Sequence, residues 1–171
     1  MNLALRIKLS IMMFLQYAIW GIWAVSLALH LKALGISGFY SGLIIACGGI
    51  GSILSPLLVG ELADRYFATE KVLAFCHLIG GVLLIAAGHA TSFGSIFVLM
   101  LIYCSLYFPT VALTNALTFR ALGPDNASQF GPIRFWGSVG WPVAVWATGL
   151  YLASADVAAL KPLFDVVGAP S

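Results

Sequence analysis

The sequence predicts an all-α membrane protein built from five transmembrane helices. Two observations carry this. Hydrophobic residues make up 61% of the 171-residue chain and charged residues only 8%, against about 25% charged in an ordinary soluble domain; the mean hydropathy is +1.03. The apolar residues also gather into five stretches, roughly 9–31, 40–62, 72–90, 95–119 and 133–153, each near the roughly 20 residues a helix needs to cross a bilayer. None of them alternates polar and apolar with period two, which argues against a closed barrel. Residues 1–154 read as one five-span bundle and 155–171 as a tail, where Val157, Leu160, Leu163 and Phe164 suggest a short interfacial helix.

Composition narrows function as well. A net charge of +2 with unclustered basic residues gives no footing for a nucleic-acid partner. The three cysteines, Cys47, Cys76 and Cys104, all fall inside apolar stretches, and they read as small packing residues. Neither a metal site nor a cofactor is expected. Arg6 and Lys8 precede an apolar run too long for a signal peptide, so that run is the first span. With a cytoplasmic N-terminus, Arg6, Lys8, Arg65, Lys71, Arg120 and Arg134 lie inside, and only Lys32 and Lys161 lie outside.

In the first span, Gln16, Trp20 and Trp23 follow one another at steps of four and three and share a face. Two readings stand: an amide and two rings that grip a flat polar ligand, or an amide bonded to a neighbouring helix with indoles filling space. The second span is rich in small residues, and Gly48 to Ser52 is a small-xxx-small step suited to tight crossing. Pro56 is expected to kink it. The inner loop holds Gly60, Asp64 and Arg65, whose charges either clasp a facing helix end or are simply solvated.

His77 stands alone in the third span and reads as hydrogen-bonded packing. The fourth carries Tyr103, Tyr107, Thr110 and Thr114 on one face, with Asn115 beside them as a candidate for binding a partner or ligand. The fifth opens with Pro132, suited to a first helical turn. Arg134, Ser138 and Trp141 then share a face, while Gly137 and Gly140 on another side would admit a close neighbour. An arginine one turn into a span either snorkels to the surface or serves a ligand. A cation there opposes the helix dipole, so stability alone would not select it.

The loop Gly60-x-Leu62-Ala63-Asp64-Arg65 resembles the signature of the major facilitator superfamily, although Phe67, Ala68 and Thr69 depart from its second half. Pro132-Ile133-Arg134-x-Trp136-Gly137, followed by Gly140, is similar to a signature of its nucleoside:proton symporter family. The opening Phe14-Leu15-Gln16-Tyr17-x-x-Trp20-Gly21-x-Trp23 is similar too, as are Cys76-His77-x-Ile79-Gly80 and Pro109-Thr110 with Asn115. Departures include Gly131, Ser138 and Trp141, where a second proline, threonine and phenylalanine are common.

The resemblance implies twelve helices in two halves, of which this chain would be a truncated N-terminal half lacking its C-terminal partner. It implies a secondary transporter in the bacterial inner membrane, moving nucleosides with protons by alternating access. Gln16, Trp20, Asn115, Arg134, Ser138 and Trp141 would line the substrate path, with Gly60, Asp64 and Arg65 as the conformational switch. With Glu61, at the inner edge of the second stretch, counted with the inner loop, no Asp or Glu falls inside the spans, so the coupling acid is expected in the other half. The alternatives are a small stand-alone binding or scaffold protein of the lipid bilayer, or a non-functional truncated product. An intramembrane enzyme is the weakest reading, because no paired acids, zinc motif or serine elbow is present.

Overall fold

The computed structural model describes residues 2–55 and 68–154. Gly60, Asp64 and Arg65, Pro56, and the tail helix expected beyond residue 154 lie outside the described residues. Among the described residues five long helices follow one another: α1 (Leu3–Ala33), α2 (Gly38–Ser55), α3 (Thr69–His89), α4 (Phe93–Leu122) and α5 (Phe130–Ser154). A short 3-10 turn, Pro124–Gln129, leads into α5.

The local chemistry explains these limits. Asn2 caps α1 by accepting from the Ala4 amide at 3.0 Å, and Ser92 caps α4 by accepting from the Ser95 amide at 3.2 Å. α1 closes where Gly35 takes a φ of +68°, and α4 closes where Gly123 takes +66°, a region costly for any residue with a Cβ. α1, α4 and α5 run past their apolar stretches at both ends: at 31 residues α1 is roughly 46 Å long, more than the hydrocarbon thickness. α5 begins at Phe130, which puts Pro132 in its first turn.

By length and composition α1, α3 and α4 qualify as membrane crossings, and Gly38–Ile53 of α2 is a shorter apolar helix. α5 is long enough, but with its tryptophans, glycines, prolines and Arg134 it does not reach the hydropathy of those three.

α1 packs along α5, α2 along α4, and α3 on another side of α4. Trp23, Leu31, Ile44, Ile96, Met100 and Tyr103 anchor the largest buried cluster; Leu9, Met13, Leu122 and Ile133 form a second, at the other end of α1.

Glycines set the two closest approaches. The neighbour admitted by Gly137 and Gly140 is α1: a Cβ at Gly140 would overlap the carbonyl of Phe14, and one at Gly21 would lie 2.6 Å from the carbonyl of Trp141. On α2 the crossing differs from the expected Gly48–Ser52 step. Gly51 is the residue set against α4, where an added Cβ would fall 2.6 Å from the Cys104 carbonyl carbon. Gly48 meets only the Phe108 ring at 3.4 Å, and the exposed Ser52 hydroxyl turns back to the Gly48 carbonyl at 2.8 Å.

Candidate functional site

The Gln16–Trp20–Trp23 face of α1 is laid against α4. Trp23 meets Tyr103 edge-on at 5.6 Å and Trp20 meets Phe108 edge-on at 5.7 Å. Gln16 is only 4% exposed, and both polar atoms of its side chain are hydrogen-bonded. Its Nε2 donates to Thr110 Oγ1 at 2.8 Å, and its Oε1 lies 3.0 Å from His77 Nε2. The amide oxygen can only accept, so that contact requires the tautomer with a proton on Nε2. Thr114 Oγ1 lies 3.3 Å from the same oxygen, but its single hydrogen goes to the nearer Thr110 carbonyl at 2.6 Å. The backbone carbonyl of Gln16 accepts from the Tyr107 hydroxyl.

One residue of α1 thus ties α3 and α4 together inside an apolar bundle. Thr110, Thr114 and Thr118 are buried and return their hydroxyls to carbonyls of their own helix.

Gln16→Leu is therefore expected to lower stability by about 1–3 kcal/mol, because it strands buried donors and acceptors. In that background His77→Leu should cost little, since its partner has already gone. Thermal unfolding of both single variants and the double variant in detergent checks this. Additive losses would mean that the two side chains are not coupled.

A second group forms at the entrance of α5. The Arg134 side chain is half-buried, and its guanidinium carbon lies 4.0 Å from the centre of the Tyr17 ring. That is well inside cation–π range. The side chain therefore lies against α1 instead of running out along its own helix. Ser138 is exposed, and Trp141 is 43% exposed. The face they share with Arg134 is open, whereas Gln16 is closed off.

Trp20 and Asn115 are half-buried. Asn115 Oδ1 is fully buried and has no hydrogen-bond partner among the described residues. A polar atom left so in an apolar medium costs several kcal/mol unless something pairs with it.

Of the six residues expected to line one path, Arg134, Ser138 and Trp141 share one face of α5. Trp20 on α1 and Asn115 on α4 are half-buried, and Gln16 is hydrogen-bonded within the bundle. Sequence reasoning gave Tyr17 no role, although it stands in the Phe14–Trp23 motif. As the residue after Gln16, 100° further round α1, it belongs to a different face from the one that meets α4.

Comparison with known proteins agrees with this architecture. A family model described as nucleoside H+ symporter matches residues 1–168. The Escherichia coli (strain K12) protein YegT is 41% identical over 165 residues, covering 94% of this chain and 39% of that protein. Nucleoside permease NupG of the same organism is 34% identical over 150 residues, covering 85% of this chain and 36% of its own length. The crystal structure of nucleoside transporter NupG superposes with a TM-score of 0.81 at 34% identity, covering 88% of this chain and 38% of that one. The chain thus spans less than two-fifths of the length of these relatives. A match over nearly every residue, on a helical fold of the same arrangement, places this chain in the nucleoside H+ symporter family of the major facilitator superfamily.

Proposed function

We propose that this chain forms the N-terminal part of an inner-membrane transporter that moves nucleosides with protons by alternating access, its N-terminus in the cytoplasm. Arg134, Ser138 and Trp141 form one wall of the nucleoside cavity, with Trp20 and Asn115 as further contacts. Gln16 supports that wall from within the bundle. The opposite wall comes from the part of the fold that this chain does not match.

One observation carries the reading: Arg134 is held against Tyr17, half-buried. The wall it belongs to suits a nucleoside. Guanidinium N–H groups and the Ser138 hydroxyl match ribose hydroxyls and a base carbonyl, and the Trp141 indole matches a flat ring. The only carboxylates on the spans, Glu61 and Glu70, stand at their inner ends, so the proton-coupling acid lies outside the membrane-embedded part of these helices. The bias of six basic residues on one side against two on the other supports the orientation.

Uptake of radiolabelled adenosine and uridine tests the reading. The assay uses a chimera in which this chain replaces the matching segment of NupG, in cells lacking nucleoside uptake. Saturable accumulation is expected, competed by unlabelled nucleosides but not by sugars, and lost when a protonophore collapses the gradient. A chimera that reaches the membrane and accumulates no nucleoside overturns the reading.

A further inference from the structure

The Tyr17 ring is buried between α1 and α5, 9% exposed, and Arg134 lies over its face. Gly137 makes this possible. A Cβ there would come within 2.6 Å of Tyr17 Cδ2 and 2.8 Å of Arg134 Nη1. Ring and guanidinium meet in the space that the missing side chain leaves. The ring cannot drift along α5, because α1 is locked on either side of it. Gly140 sits on the Phe14 carbonyl one turn before Tyr17, and Gly21 sits on the Trp141 carbonyl one turn after.

The kind of contact matters as much as the place. A guanidinium presents its five N–H donors in its plane and none from its faces. Held by a carboxylate, Arg134 would spend two of those donors in a fork and lose its net charge. Held by an aromatic face, it is oriented and partly desolvated while the in-plane donors stay free. No ion pair or hydrogen bond to the Arg134 side chain occurs among the described residues.

We propose that Tyr17 is the positioning residue of the substrate site: it holds Arg134 by its face so that its edge is presented to a neutral ligand rich in hydroxyls and carbonyls. This rests on the reading of Arg134 as a nucleoside contact. It adds that the arginine works only while stacked. The phenol hydroxyl is dispensable and the aromatic face is not.

Two measurements test it. The first is NMR of the chain in detergent micelles, with labelled arginine side chains. The Arg134 signals should be displaced upfield by the ring current relative to those of Arg6, Arg65 and Arg120. The displacement should vanish in Tyr17→Leu and persist in Tyr17→Phe.

The second is uptake kinetics in the NupG chimera. Tyr17→Leu should raise KM about tenfold with Vmax nearly unchanged, the scale of one partly desolvated cation–π contact, and Tyr17→Phe should restore it. A Tyr17→Leu variant with unchanged KM, in a protein where Arg134→Ala abolishes uptake, overturns the positioning role and leaves the site intact. If Arg134→Ala itself leaves uptake unchanged, the site reading falls and takes this proposal with it. An Arg134 signal that ignores the ring overturns the stacking directly.

Discussion

Gly140→Ala should part α1 from α5 and lower the unfolding midpoint in detergent. The new methyl group would occupy the position of the Phe14 carbonyl, with the Phe14 carbonyl carbon at 3.0 Å and its Cα at 3.1 Å. All three neighbours are backbone, so no rotamer change relieves the overlap and the helices themselves must move. Overpacking of this kind costs about 1–3 kcal/mol, and more where relaxation is blocked. Against that stands a gain of about 1 kcal/mol from replacing glycine by alanine in a helix. With three backbone atoms within 3.1 Å the cost stands at the upper end of that range, and the overlap wins with a net loss of about 2 kcal/mol.

Gly149→Ala is the matched control on the same helix. Nothing lies within 4 Å of a Cβ there, so only the helix-propensity gain remains and the midpoint should rise. If the two variants move in the same direction, backbone contact between α1 and α5 is not what limits their approach.

Arg134→Ala should abolish nucleoside uptake by the NupG chimera while the protein still inserts at its normal level. The separation follows from magnitudes. The structural loss is one cation–π contact, worth about 0.5–2 kcal/mol, and the Tyr17 ring stays packed against Gly137. The functional loss is every charge-assisted donor on that wall. Arg134→Lys keeps the charge but loses the planar fork, so uptake should still fall at least about tenfold. Full uptake by Arg134→Ala would remove Arg134 from the site and leave it a structural residue of the α1–α5 contact.

Much of the fold was legible because the bilayer imposes a coarse rule. Length and apolarity place five helices, and Pro132, Gly35 and Gly123 mark where helices start or stop. The residues that make close contacts were legible as types but not as pairs. Gly137 and Gly140 announce a near neighbour, yet nothing in their spacing says that it is α1. On α2 the spacing pointed to Gly48 and Ser52, and the approach is made at Gly51, whose turn happens to face Cys104.

Gln16 shows the limit best. An amide in an apolar helix must find partners, but a ligand and a neighbouring helix satisfy it equally well on paper. The partners, His77 and Thr110, lie 61 and 94 residues away along the chain, and only the packed bundle brings them together. The role of Tyr17, though the residue stands in the quoted motif, was invisible for a simpler reason. A tyrosine in a membrane helix is unremarkable until a cation from another helix is seen resting on it.

The seam between α1 and α5 has one more consequence. Most helix contacts are cushioned by side chains that can turn, and such contacts creep under load. At Gly21 and Gly140 main chain meets main chain, and there is nothing to turn. A force that tilts α5 must carry α1 with it, as a beam carries the plate welded to it. Gln16 then passes that movement on to α3 and α4. Any rocking of this bundle is a motion of the whole block, and the arginine at its edge travels with the block while keeping its seat.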